Sequence, residues 1–221
     1  MKKAVVLLSG GQDSTTCLYW ALSKGFEVHA IGFDYGQRHK IELELATKIA
    51  QGAGVPYKIF DVKGIFQNSS LVDMTQDVNA PHSVNKDLPS SFTAGRNMVF
   101  LSIAAGYAYN LGCEDIITGV CQTDFSGYPD CRQGFITSME KTASLAVDSE
   151  LCIHTPLMNL TKAETWKLAK DLGIVDIIIN DTMTDYNGDM RMNEWGRGVA
   201  DSPSSKLRAS GFYDAKERGW L

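Results

Sequence analysis

Leu7-Leu8-Ser9-Gly10-Gly11-Gln12-Asp13-Ser14-Thr15-Thr16 is the stretch on which the reading of this chain turns. Ahead of it, Ala4 to Leu8 is an unbroken apolar run, rich in Val and Leu, of the composition that suits a strand buried on both faces. Behind it, Thr15 to Leu22 carries apolar residues at helical spacing. A strand that turns into a helix through Gly-Gly aims backbone N–H groups and a helix N-terminus at one spot, which makes an anion site. Ser9 and Ser14 add hydroxyl donors, and Asp13 can hold a metal or orient a neighbour. A plain strand–helix turn capped by Ser or Asp is the alternative. That alternative suffices for a lone Gly-Gly, but Ser-Gly-Gly-x-Asp-Ser directly after a buried strand is much more specific. The pattern is neither G-x-x-x-x-G-K-[ST], since no Lys follows the glycines, nor G-x-G-x-x-G.

Working outward, Glu27 to Phe33 reads as a second strand ending in Asp34-Tyr35-Gly36-Gln37-Arg38-His39, and His39 to about Gly52 as an amphipathic helix. Val55 to Val62 is a third apolar stretch. Strands alternating with helices predict a parallel, doubly wound α/β sheet, Rossmann-like, with ligands at the carboxyl ends of the strands. Asp34 and Tyr35 fall there, as nucleotide contacts or as an ordinary strand-end turn. Lys63 to Ala94 holds Pro81, Pro89 and many polar residues without a period, and reads as a lid over the site. Gly95-Arg96-Asn97 then opens an apolar helix from about Met98 to Leu111. Arg96 is a candidate for a phosphate or carboxylate, or else a surface ion pair.

Glu114 to Gly119 predicts a further strand, followed by Cys121-Gln122-Thr123-Asp124-Phe125-Ser126-Gly127-Tyr128-Pro129-Asp130-Cys131-Arg132. A planar heterocycle can stack on Phe125 or Tyr128 while Asp124 or Asp130 accepts its N–H donors. Turn chemistry explains Asp, Gly and Pro there, but not Arg, Phe and Tyr crowded with them. A helix to about Val147 and a short strand at Cys152 to His154 follow. Thr161 with Glu164 is a capping-box pattern. Lys162, in that helix's first turn, opposes the helix dipole, which favours a role toward a ligand. Val175 to Ile179 is apolar, and from there to Lys206-Leu207-Arg208-Ala209 the chain is polar, Gly-rich and read as irregular. His39 and His154 lack metal-ligand spacing and read as hydrogen-bonded structural residues.

At 221 residues with 44% hydrophobic content, the chain suits one well-buried domain with a small appendage, here divided at 1–180 and 181–221. A net charge of −5 argues against a broad nucleic-acid surface, though not against a nucleotide. No apolar run reaches the length of a membrane span. Met1-Lys2-Lys3 runs straight into a strand, so no signal peptide is expected. Five cysteines, an odd number, read as free thiols of a cytoplasmic protein.

The first loop resembles the pyrophosphate-binding (PP) loop of the ATP pyrophosphatases, which split ATP into AMP and pyrophosphate. Taken with F-D-Y-G-Q-R-H, A-G-R-N, T-G-V-C-Q-T-D-F-S-G-Y-P-D-C-R, T-P-L-M, K-A-E-T-W, T-D-Y-N-G and K-L-R-A-S-G, in order over nearly the whole chain, it resembles the 7-cyano-7-deazaguanine synthase family of queuosine biosynthesis. The resemblance implies an adenine nucleotide alpha hydrolase-like fold and a homodimer that needs Mg²⁺. It implies adenylation of 7-carboxy-7-deazaguanine, attack by ammonia to give the amide, and a second ATP-driven activation to give the nitrile. ATP would be held by Leu8, Ser9, Gly10, Gly11, Asp13, Ser14, Phe33, Asp34, Arg96 and Gly119, with Mg²⁺ near Asp13. Catalysis would rest on Asp13, Lys162 and Asp130. Tyr35, Arg38, Thr123, Asp124, Phe125, Tyr128, Asp130 and Arg132 would frame the deazaguanine or its carboxylate.

Typical members carry four zinc-binding cysteines near the C-terminus. Here those positions are Asp185, Val199, Ser202 and Ser205; Val cannot ligate a metal and Ser is a poor zinc ligand, so no zinc is expected. Either the tail lost its metal and kept the reaction, or the fold now serves a related task. In the latter case the activated deazaguanine passes to an amine of a partner protein, as in an anti-phage defence system, and stops at the amide. A third reading is an inactive binder of deazaguanine or nucleotide.

Overall fold

The structure, a computed structural model, describes all residues except 1, 39, 68, 74, 78–79, 124–127 and 186–187. Five parallel strands form the main sheet in the order β3-β2-β1-β4-β5: β1 (Lys3–Leu7), β2 (Glu27–Asp34), β3 (Tyr57–Asp61), β4 (Asp115–Ile117) and β5 (Cys152–His154). The chain winds outward from β1 through β2 to β3, then returns to the other side of β1 for β4 and β5. The order therefore reverses between β1 and β4, and there the loops after the strands part to leave a crevice.

Alternation along β1 builds two cores. Val5 and Leu7 face α3 (Arg96–Asn110) and α4 (Gln133–Val147), packing with Leu101, Ala104 and Ile136. Ala4, Val6 and Leu8 face α1 (Gln12–Ser23) and α2 (Ile41–Gly52), packing with Leu18, Ala46 and Ile49. All of these β1 residues are buried, which is why the run reads as uninterrupted. A third core joins α5 (Lys162–Asp171), α6 (Val175–Asp181) and α7 (Pro203–Glu217) around Trp166, Trp195 and Phe212.

Two expectations change. The chain after Ile179 gains order earlier than expected: among its described residues a short hairpin, β6 (Met192–Asn193) with β7 (Gly196–Arg197), interrupts the irregular stretch, and the 15-residue α7 begins at Pro203, ahead of Lys206. Ser202 caps α7, accepting from the Ser205 N–H, with Pro203 at the first helical position. That helix-start signal coincides with positions matched to zinc ligands. The second change is at β3, which is shorter than Val55 to Val62 and exposes Ile59 at the sheet edge, although Val55 and Val62 themselves are buried.

The segment from Lys63 to Ala94 contains no named helix or strand among its described residues. Buried hydroxyls tie it together: Ser90 donates to Ser70 and to the Asp77 carbonyl, and Thr93 donates to Ser69. Asp87, Pro89 and Ser91 from this segment reach the wall of the crevice.

Candidate active site

The crevice at the carboxyl ends of β1, β2 and β4 holds a cavity of about 760 Å³. Its floor is the loop between β1 and α1. The Ser9 N–H donates to Ser14 Oγ at 3.1 Å, Ser14 Oγ donates to the Gly11 carbonyl at 3.2 Å, and the Ser9 and Ser14 hydroxyls lie 3.1 Å apart. These bonds bend the chain so that Gly11 becomes the N-cap of α1, where it brings no capping side chain of its own. Gly10 has φ +88°, and a Cβ there would collide with the Glu42 carbonyl oxygen at the start of α2. Gly119, after β4, is needed for a similar reason: a Cβ would lie 3.1 Å from the Asp13 carbonyl carbon and the Ser14 nitrogen.

Lys162 stands at the first position of α5, whose start is set by the Thr161–Glu164 capping box. Its Nζ donates to both Asp13 oxygens, at 2.9 and 3.0 Å. Lys162 is buried while Asp13 keeps 27% of its side-chain surface exposed, so the pair opens toward the cavity. A Mg²⁺ ion fits beside it in donor chemistry, because this ion is commonly held by one or two carboxylates and the substrate's phosphates. An ion there would share Asp13 with Lys162.

Leu8, Ser9, Gly11, Ser14, Phe33 and Gly119 join Asp13 and Lys162 along the cavity. Opposite the loop stand Tyr35, Arg96 and Tyr128. Arg96 lies over the Tyr35 ring at 5.9 Å, and Tyr128 Oη shares a 2.7 Å hydrogen bond with Ser91. Phe33 stacks on Phe100 with ring centroids 4.0 Å apart. Burial pushes the Tyr35 phenol up, only partly offset by Arg96.

Gly10 lies off the cavity wall, packed against α2, and five further expected residues also have placements off it. Asp34 pairs with Lys63 at 3.0 Å and accepts from the Gly36 N–H. Burial pushes its carboxyl up, but Lys63, that amide and Lys40 together outweigh burial and hold it below the usual range. Arg38 donates to the Asp73 and Gln76 carbonyls, clipping the Lys63–Ala94 segment. Thr123 donates to the Leu160 carbonyl. Asp130 is buried and accepts from the Asn97 N–H at 3.0 Å, covering the first turn of α3 and so aiming Arg96. Arg132 is exposed at the N-cap of α4. Asp124 and Phe125 lie outside the described residues.

Several cavity residues carry no local signal: Glu42 of α2, Met183 and Thr184 after α6, and Ser204, Leu207 and Ser210 of α7. The Met183 N–H donates to the Gly10 carbonyl at 3.2 Å, and the Gln12 N–H donates to Thr184 Oγ1 at 3.4 Å. The tail thus backs the loop from behind. Only their proximity in space, 172 residues apart in sequence for Gln12 and Thr184, makes that legible.

Asp185 is buried, and its Oδ1 accepts from Ser202 Oγ at 2.9 Å; Ser202 and Ser205 share a 2.7 Å bond. Asp185 is absent from the cavity wall. A carboxylate, two hydroxyls already engaged with each other and a valine do not make a zinc donor set. Elsewhere, Asp115, Cys152 and His154 bring a carboxylate, a thiol and an imidazole together beside β4 and β5. His154 Nε2 lies 2.6 Å from Asp115 Oδ1. Two ligands on a tetrahedral zinc would stand roughly 3.3 Å apart, so this is a hydrogen-bonded pair.

A parallel sheet with its order reversed beside a Ser-Gly-Gly loop and a lysine–aspartate pair defines an ATP-using α/β enzyme of the PP-loop class. Two solved structures share the fold: NMN synthetase from Francisella tularensis (TM-score 0.52, 14% identity, 98% of this chain and 86% of that one) and a predicted subunit of a tRNA methyltransferase from Methanocaldococcus jannaschii (TM-score 0.51, 17% identity, 99% and 89%). The model of the queuosine biosynthesis protein QueC family matches residues 3–216, and the chain belongs to that family. It is 50% identical over 220 residues to the 7-cyano-7-deazaguanine synthase of Clostridium acetobutylicum, covering 97% of this chain and 95% of that protein. It is 48% identical to that of Clostridium novyi, covering 98% and 96%, and 49% identical to that of Shouchella clausii, covering 95% and 93%. Among the described residues no helix is long and apolar enough to cross a membrane.

Proposed function

We propose that this enzyme adenylates 7-carboxy-7-deazaguanine with ATP and Mg²⁺, passes the acyl group to ammonia, and activates the resulting amide with a second ATP to form 7-cyano-7-deazaguanine. The observation that carries the reading is Lys162, held by Asp13 at the open end of the loop, inside one cavity with Arg96, Tyr35 and Tyr128. The loop and Lys162 form a cationic, amide-lined cradle for phosphate charge, and Arg96 with the two tyrosines offers a cation and flat surfaces for an aromatic carboxylate. Such a site places a carboxylate oxygen in line with the α-phosphorus and stabilises the charge that develops, by positioning and electrostatics. The names of the relatives support the substrate. The reaction is read as that of a homodimer.

The test incubates the protein with ATP, Mg²⁺ and 7-carboxy-7-deazaguanine, with and without ammonia, and follows products by mass spectrometry. AMP and pyrophosphate are expected only when all three components are present, with nitrile as the end product and two ATP consumed per nitrile. A product stopping at the amide, or a protein gaining the acyl mass, would favour conjugation instead.

The second expectation concerns the tail. With Asp185, Ser202 and Ser205 bonded to one another and Val199 at the fourth position, the purified protein should hold no stoichiometric zinc, and a strong chelator should leave its melting temperature unchanged. Metal analysis that finds one tightly held zinc per chain would refute this.

A further inference from the structure

Lys162 and Asp13 serve the phosphate end of the cavity, and Arg96 with the tyrosines serves the ring end. That leaves two acidic side chains of the wall unassigned, Glu42 and Asp87, and Glu42 is the one packed against the loop and under the charge of Arg96. Glu42 is the second residue of α2, in the turn that packs its carbonyl against Gly10, so it stands directly behind the loop. It lines the cavity together with Arg96, Tyr35, Asp13 and Lys162. Asp13 is committed to Lys162, and Asp130 and Asp34 lie off the wall.

Release of an amide from an acyl adenylate requires that a base take a proton from the attacking nitrogen. The C–N bond forms and the C–O bond to AMP breaks, with its electron pair going to the phosphate oxygen. One N–H proton must then leave the nitrogen. We propose that Glu42 takes up that proton, passing it on to water before the next cycle. The proposal rests on the reaction given above and names the group that completes its second half. Burial pushes the Glu42 carboxyl up to about 7, with Arg96 pulling it back down. A carboxyl poised there is ionised enough to accept a proton and basic enough to hold it. Arg96 from α3 is the charged group that acts on it, and Glu42 in turn adds to burial in raising the neighbouring phenols of Tyr35 after β2 and Tyr57 from β3. Both phenols are pushed up and stay neutral, and Tyr57 donates to the Leu8 carbonyl.

The experiment separates the two half-reactions in wild type, Glu42→Gln and Glu42→Asp. Carboxylate-dependent ATP–pyrophosphate exchange reports adenylation, and amide formation reports nitrogen transfer, across a pH series with free ammonia held constant. Amide formation by wild type should rise as pH passes through about 7, because the ionised form of Glu42 is the active one. Glu42→Gln should lower amide formation about a hundredfold, flatten that rise, and lower exchange less than tenfold, while Glu42→Asp recovers part of the loss. Wild-type amide formation by Glu42→Gln, or equal loss of both half-reactions in both variants, overturns the role of Glu42. Absence of exchange in the wild type overturns the substrate reading beneath it instead.

Discussion

Lys162→Ala is expected to slow cleavage of ATP to AMP and pyrophosphate by a hundred- to a thousandfold, the cost of removing one preorganised charge from a developing transition state. The lysine's stem is buried between α5 and α7, where Gly211 makes room for it: a Cβ on Gly211 would lie 2.6 Å from Lys162 Cγ. Its ammonium therefore has one direction to point, toward Asp13 and the loop, and no reorganisation is needed when phosphate charge appears. Lys162→Arg should not rescue the rate, because the guanidinium is wider than the slot and too long to end at the same point. Asp13→Ala should lose a similar factor, by freeing the lysine and removing the candidate Mg²⁺ ligand together. The double variant should be little worse than either single one, since the two side chains act as a unit. Single-turnover rates decide it. A Lys162→Ala enzyme within tenfold of wild type would take this residue out of the chemistry.

Arg208→Leu is expected to cost about 3 kcal/mol of folding stability. Arg208 is fully buried in α7 and donates to the carbonyls of Trp195 and Ile178 and to the hydroxyls of Thr182 and Thr184. None of these four partners is a carboxylate. Burial, joined by the charge of Arg197 and opposed by Asp13, pushes its guanidinium down to about 10, so it stays charged at neutral pH. Leucine would take a buried donor from the Trp195 carbonyl and from both threonine hydroxyls, while the Ile178 carbonyl keeps its bond from Thr182 Oγ1. Set against a typical domain stability of about 5–15 kcal/mol, the loss is large. Urea denaturation measures it, and a change under 1 kcal/mol would mean that the tail is held by its aromatic packing instead. Because Thr184 also accepts from the Gln12 N–H, the variant should in addition raise the KM for ATP.

The structure explains why these two residues are joined in one small region. Gly196 has φ +112° and no room for a Cβ against Arg208, while Gly198 has φ +111° and meets the Asp185 side chain closely. Both glycines let the hairpin wrap the arginine and the Asp185–Ser202–Ser205 cluster. Trp195 and Phe212 pack with Trp166 beneath them. Hydrogen bonds and aromatic packing thus tie this end of the chain together.

Much of this protein is determined by sequence alone. The buried run of β1, the loop through Gly10 and Gly11, the alternation of strands and helices, and the Thr161 capping box are all set within a few residues. Backbone preference and side-chain period act over that distance, so a short window contains their cause. The position of Lys162 at a helix start was legible in the same way, and its conflict with the helix dipole already pointed to a ligand.

What only the tertiary structure decided is which polar side chains face the cavity. Asp34, Arg38, Thr123 and Asp130 have the chemistry of site residues, yet each is claimed by a nearby lysine, carbonyl or amide that folding brings within hydrogen-bond reach. Glu42 and Thr184 look like ordinary helix and loop residues, and they reach the site because α2 and the tail close on the first loop from opposite directions. Asp13 and Lys162 stand 149 residues apart, and no local pattern pairs them. The physical reason is that a buried polar group must find a partner somewhere, and which partner it finds depends on how distant segments pack rather than on the residues beside it.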